Sequence, residues 1–85
     1  MTNIVNMKNV IIYSTPTCVY CNAAKQFFKE NNVEYTEKDV ASDLDARREM
    51  VEKTGQLGVP VIEVDEKIMV GYDHDTLADA LGIKA

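Results

Sequence analysis

The chain has 85 residues, 46% of them hydrophobic, with only four glycines and two prolines. That suffices for one compact domain over residues 1–85 and is too little for a second core. A formal net charge of -5 argues against a nucleic-acid binder or a protein drawn to anionic membranes, since either needs a basic face.

No apolar run approaches the ~20 residues that span a bilayer. Met1 to Asn9 has neither the basic region nor the long apolar stretch of a secretory leader, so a cytoplasmic location is expected. Val10-Ile11-Ile12-Tyr13 is a β-branched apolar run that reads as a buried strand entering the loop Ser14-Thr15-Pro16-Thr17. A helix is predicted from about Cys18 to Asn32, with Tyr20, Ala24, Phe27 and Phe28 on its apolar face. Val33 to Val40 alternates in part and reads as a half-buried strand. Ser42 is the expected N-cap of a second helix, with Asp43 and Asp45 in its first turn and Gly55 as its stop. Val61–Val64 and Lys67–Val70, joined at Asp65-Glu66, read as a hairpin. A last helix carries Leu77, Ala80 and Leu81 and stops at Gly82. The order β-α-β-α-β-β-α predicts an α/β fold, a four-stranded mixed sheet flanked by helices.

The chemistry concentrates in Thr15-Pro16-Thr17-Cys18-Val19-Tyr20-Cys21, where both cysteines of the chain lie at a strand-to-helix junction. The unpaired N–H groups and positive dipole end of a helix start favour a thiolate. Cysteines in Cys-X-X-Cys motifs have pKa values lowered to roughly 3.5–7.5. Cys18 is therefore the expected nucleophile. Cys21, one turn deeper, is placed to attack a mixed disulfide on Cys18. A bridge between them closes too small a loop to stabilise the fold much, and in a reducing compartment such a pair is more often catalytic or metal-binding than structural. Zinc usually takes four ligands, and the chain offers two Cys and, far along the sequence, one His, His74. Redox chemistry is the reading preferred over a metal site or two incidental cysteines.

With Cys18-Val19-Tyr20-Cys21, then Gly58-Val59-Pro60, then Gly71-Tyr72-Asp73, the chain resembles the glutaredoxins of the thioredoxin-like superfamily. It is most similar to the short bacterial and archaeal glutaredoxin-like proteins, NrdH-type redoxins among them, over residues 8–83. The resemblance implies a thioredoxin-like fold, Cys18 as nucleophile and Cys21 as resolving thiol. It also implies a cis-Pro60 facing the cysteines, and Val59 presenting its backbone N–H and C=O to a bound cysteinyl backbone. Tyr20 would flank the bound disulfide. Gly71, Tyr72 and an acidic residue such as Asp73 would meet the γ-glutamyl end of glutathione.

Departures from the family pattern bear on the electron donor. Val19 stands where the family usually has proline. Thr15 and Leu57 stand where glutathione-binding members carry basic or polar side chains that hold glutathione's carboxylates. Those changes favour reduction by a thioredoxin-reductase-like flavoenzyme. The Trp-Ser-Gly-Phe segment typical of the NrdH type is replaced by Met69-Val70-Gly71-Tyr72, in a chain without tryptophan. The expected partners are disulfide-containing proteins or small molecules, with glutathione or a flavoenzyme as donor. No bound cofactor or metal is expected, and a monomer is. A different function within the family's range is an iron–sulfur cluster carrier, two copies bridging a cluster through Cys18 and external thiols; the presence of Cys21 favours redox turnover.

Among other residues, Asp73 and Asp75 suit a helix N-terminus, with Asp73 as its cap. His74 reads as a solvated turn residue, Tyr13 and Tyr35 as strand residues, and Phe27 and Phe28 as core. Lys25 reads as a solvated lysine. Arg47, Arg48 and Lys53 read as one solvated helix face balanced by Asp45, Glu49 and Glu52.

Overall fold

Alternation along the central strands sets the layers. A computed structural model describes residues 9–83, so Met1 to Lys8, the bulk of the segment read for a leader, lies outside the described residues. The elements are β1 (Val10–Ser14), α1 (Val19–Glu30), β2 (Thr36–Asp39), α2 (Leu44–Thr54), β3 (Val61–Val64), β4 (Lys67–Val70) and α3 (His74–Leu81), in the order expected. The strands lie β2-β1-β3-β4. β1 pairs parallel with β2, Ile12 opposite Glu37, and antiparallel with β3, Tyr13 opposite Val61. β3 pairs antiparallel with β4.

Because side chains alternate across a strand, Val10 and Ile12 face one way and Tyr13 the other. Val10, Ile12, Ile62 and Val64 pack with Ala24, Phe27 and Phe28 of α1 and with Leu77, Ala78 and Leu81 of α3. Tyr13 and Val61 pack with Ala46 and Met50 of α2. Helices thus cover both faces, α1 and α3 together and α2 opposite. Burying one side chain such as Phe28, fully enclosed, contributes about 1.5–3 kcal/mol.

Several boundaries differ from the sequence expectation. α1 ends at Glu30, because Asn31 is already non-helical and Asn32 is left-handed at φ 57°. β2 begins at Thr36, not Val33. Val33 is buried and Tyr35 stacks on Phe28 with ring centroids 4.9 Å apart, so an incoming loop, not a strand, carries the apolar residues that mimic alternation. The N-cap of α2 is Asp43, not Ser42; its carboxylate accepts the N–H of Ala46 at 3.1 Å. Gly55 and Gly82 end α2 and α3 as read, both left-handed at φ 73° and 74°, where glycine carries no Cβ penalty. Ala80 is only partly buried, and Ala78 takes the core position beside Leu77 and Leu81.

Candidate active site

β1 delivers the chain to the site. After Ser14 the backbone turns through Thr15 to Thr17, tightened by a hydrogen bond from the Cys18 N–H to the Thr15 carbonyl at 3.3 Å. Cys18 is the N-cap of α1, extended at φ -83° and ψ 115°. Its sulfur accepts the backbone N–H of Cys21 at 3.1 Å, taking the place of the usual serine or aspartate oxygen. An anionic sulfur there is stabilised by the helix start, the physical basis of a low thiol pKa. Cys18 is partly exposed, whereas Cys21 is 0% exposed. The two are joined in a disulfide with Cα atoms 5.2 Å apart.

Register brings the other motifs to the same end of the sheet. Tyr13, beside the site loop, lies opposite Val61, and Val61 lies opposite Val70. Pro60, buried and preceded by a cis bond to Val59, therefore enters β3 at the end where β1 delivers Cys18. The Gly71 N–H donates to the Pro60 carbonyl at 2.7 Å, and Gly71 is left-handed at φ 93°. Val59 makes no backbone–backbone hydrogen bond among the described residues. Tyr72 packs against the α1 and α3 core; burial first, then the negative charge of Glu30, pushes its hydroxyl pKa up. Asp73 caps α3. It accepts from the Asp75 N–H at 3.2 Å and the Thr76 hydroxyl at 2.9 Å, and the Thr76 bond chiefly lowers its pKa.

Three sequence assignments change. Tyr20 is 65% exposed and is not on the apolar face of α1, whose buried residues are Cys21, Ala24, Phe27 and Phe28. With Val19 at 74% and Leu57 at 56% exposure, it leaves apolar surface open on the motif and on the segment leading to Pro60. Lys25 is not a freely solvated lysine: its ammonium meets Glu37 at 2.7 Å. Lys53 does not belong to a solvated face alone, since it bonds Glu63 at 2.7 Å and the Tyr13 hydroxyl at 3.1 Å, which drives its pKa up. His74, the first residue of α3, sets its ring edge-on to Phe27 at 5.0 Å.

Two features, one at Gln56 and one at Glu37 with Ser14, were not singled out from the sequence. Gln56 clamps the segment before Val59, its side chain accepting from the Gly58 N–H at 2.6 Å and donating to the Gly58 carbonyl at 3.0 Å. Glu37 and Ser14 join Lys25 beneath α1. A polar side chain two residues ahead of a glycine is a faint signal for the first; nothing local announces the second.

The glutaredoxin family model matches residues 10–69. The chain belongs to the glutaredoxin family. A glutaredoxin-like protein of 8.6 kDa from the rubredoxin operon of Clostridium pasteurianum is 44% identical over 62 residues, covering 73% of this chain and 83% of that one. Glutaredoxin 3 of Escherichia coli K12 is 34% identical over 76 residues, covering 89% and 92%. A solved thioredoxin-like protein superposes with a TM-score of 0.85 at 30% identity, covering 89% of this chain and 97% of that one. The thioredoxin-like fold expected from the sequence is thus the fold observed. For this glutaredoxin-family chain, membership and a Cys18–Cys21 pair within disulfide distance support thiol–disulfide oxidoreductase chemistry.

Proposed function

We propose that the protein is a single-domain, monomeric dithiol reductant of protein and low-molecular-weight disulfides, acting in a reducing cytoplasm. The observation that carries this reading is the asymmetry of the pair: Cys18 partly exposed with its sulfur on a helix N–H, Cys21 buried beneath it. The Cys18 thiolate attacks a substrate disulfide, forming a mixed disulfide and expelling one thiolate, which takes a proton. Cys21 then attacks the Cys18 sulfur, the bond to the substrate breaks, and its electron pair leaves on the second thiolate. The Cys18–Cys21 disulfide holds the oxidising equivalent until a donor returns two electrons. Val59, beside cis-Pro60, lines up the substrate chain. Tyr20 covers the bound sulfur, and Gly71, Tyr72 and Asp73 close the far side of the site.

For the donor we favour a thioredoxin-reductase-like flavoenzyme over glutathione. Thr15 and Leu57 give no cation for glutathione's carboxylates, and Lys25 and Lys53 are held by Glu37 and Glu63. The test is to oxidise the protein and follow its reduction separately by glutathione with its reductase and by the flavoenzyme with NADPH. Faster reduction by the flavoenzyme is expected. Faster reduction by glutathione would overturn the donor assignment while leaving the dithiol reading intact.

A further inference from the structure

To resolve a mixed disulfide, Cys21 must first lose its proton, because the thiolate is the attacking species. Burial works against that, since a charged group is disfavoured away from water, and the residues buried beside Cys21 on α1 are Ala24, Phe27 and Phe28. One charged cluster interrupts this apolar layer. Lys25 follows Cys21 by four residues, a spacing that stacks side chains on one helix face with Cβ atoms ~5–6 Å apart. Its Nζ reaches Glu37 Oε2 at 2.7 Å, and the same oxygen accepts the Ser14 hydroxyl at 2.9 Å. Ser14 is fully buried and ends β1 immediately before the site loop. Glu37 lies opposite Ile12, on the face that α1 covers. The Lys25 side chain is 18% exposed and that of Glu37 41%, so the ammonium is the more shielded end of a partly solvated pair.

We propose that the Lys25–Glu37 pair, anchored by Ser14, sets the proton affinity of Cys21 in the resolving step, an inference that rests on the dithiol reading above. Lys25 and Glu37 are positioning residues acting through Cys21. The ammonium favours the Cys21 thiolate, and Glu37 fixes that ammonium and offsets part of its field. In the step itself the Cys21 S–H gives its proton to solvent. The Cys18–Cys21 bond forms as the bond from Cys18 to the substrate breaks, and the electron pair leaves on the substrate sulfur.

Other titratable groups near this face are Tyr35, packed on Phe28 just before β2, Asp73, His74 and Tyr72 around the start of α3, Lys29 and Glu30 at the far end of α1, and Asp39 at the end of β2. Lys67 of β4 lies at the opposite end of the sheet, beside Val64. Tyr13 and Glu63 of the central strands turn toward α2. All of these are unchanged by the substitutions below, so they cancel in the comparison.

The test adds one equivalent of dithiobis(nitrobenzoate) to the reduced protein, so that Cys18 takes up one thionitrobenzoate as a mixed disulfide and expels the other, and follows the second release, by Cys21, across pH. Glu37→Gln is expected to shift the pH midpoint of release down, and Lys25→Met to shift it up, each by about tenfold in rate below the midpoint. Lys25→Arg should keep the wild-type profile, as should Arg48→Met in the exposed Asp45 pair on α2. A merely structural pair would leave the midpoint in place or move it the same way in both variants, and either result overturns the proposal. Where Lys25→Met does not fold, Glu37→Gln decides alone: a downward shift supports the proposal, and no shift or an upward one overturns it. Absence of release at any pH in the wild-type protein would instead overturn the dithiol reading, and with it this inference.

Discussion

Two lysine-centred clusters lie on opposite faces of the same sheet and are built from similar parts. Under α1, Lys25 meets Glu37 and Ser14. Under α2, Lys53 meets Glu63 and the buried Tyr13 hydroxyl, and Lys38 meets Glu49 at 2.8 Å. Both lysines of the α2 cluster sit over the Tyr13 ring, at 5.6 and 5.7 Å, where a cation is attracted by the ring face. Their chemistry is alike, but only the α1 cluster shares a helix face with a cysteine. The same ion-pair unit therefore stabilises a tyrosine on one side and, on our account, tunes a thiol on the other.

The largest effect expected on this comparison comes from the core that seats α1. Phe28→Ala should cost about 3–5 kcal/mol in denaturant unfolding and loosen the helix that holds both cysteines, so disulfide exchange should slow as well. Met50→Ala on the α2 face should cost about 2–5 kcal/mol while the folded fraction keeps its exchange rate. Tyr13→Phe removes one of the acceptors of the Lys53 ammonium, leaving Glu63, and should cost about 1 kcal/mol, again with exchange unchanged; a slowed exchange would break the division of labour between the faces.

A smaller effect is expected in acid. The hydrogen bond from Lys25 holds the Glu37 carboxyl below its ordinary value of 4.5, and Lys38 does the same for Glu49. A depressed acid stabilises the fold fully above that ordinary value and loses the contribution as pH falls through the lowered one. In Lys25→Met, stability should therefore fall less steeply between pH 4.5 and the acid unfolding region than in the wild type, as followed by thermal unfolding across pH. The smallest effect belongs to Arg48→Met. Its pair with Asp45 at 3.6 Å is exposed, so unfolding should change by less than about 0.5 kcal/mol.

The sequence made much of this architecture legible because its signals are local. The Val10–Tyr13 run, the hairpin around Asp65-Glu66 and the glycine stops at Gly55 and Gly82 each declare themselves within a few residues. So does the dithiol, since Cys-X-X-Cys at a strand-to-helix junction needs no long-range information. The misread boundaries arose where two local signals competed. Ser42 and Asp43 are both good caps, and only the Ala46 N–H selects Asp43. Val33 and Tyr35 alternate like a strand while packing as a loop over Phe28. The Lys25–Glu37–Ser14 cluster was illegible for a different reason: it depends on the parallel register of β1 with β2, which no single segment encodes.

The proposed mechanism depends on unequal cysteines, one attacking and one resolving. Its most direct test is intact-mass measurement of Cys18→Ser and Cys21→Ser after brief exposure to a disulfide substrate. We predict a single stable adduct on Cys18 in Cys21→Ser and none in Cys18→Ser. An adduct of equal yield on Cys21 in Cys18→Ser, or no adduct in either variant, would contradict it.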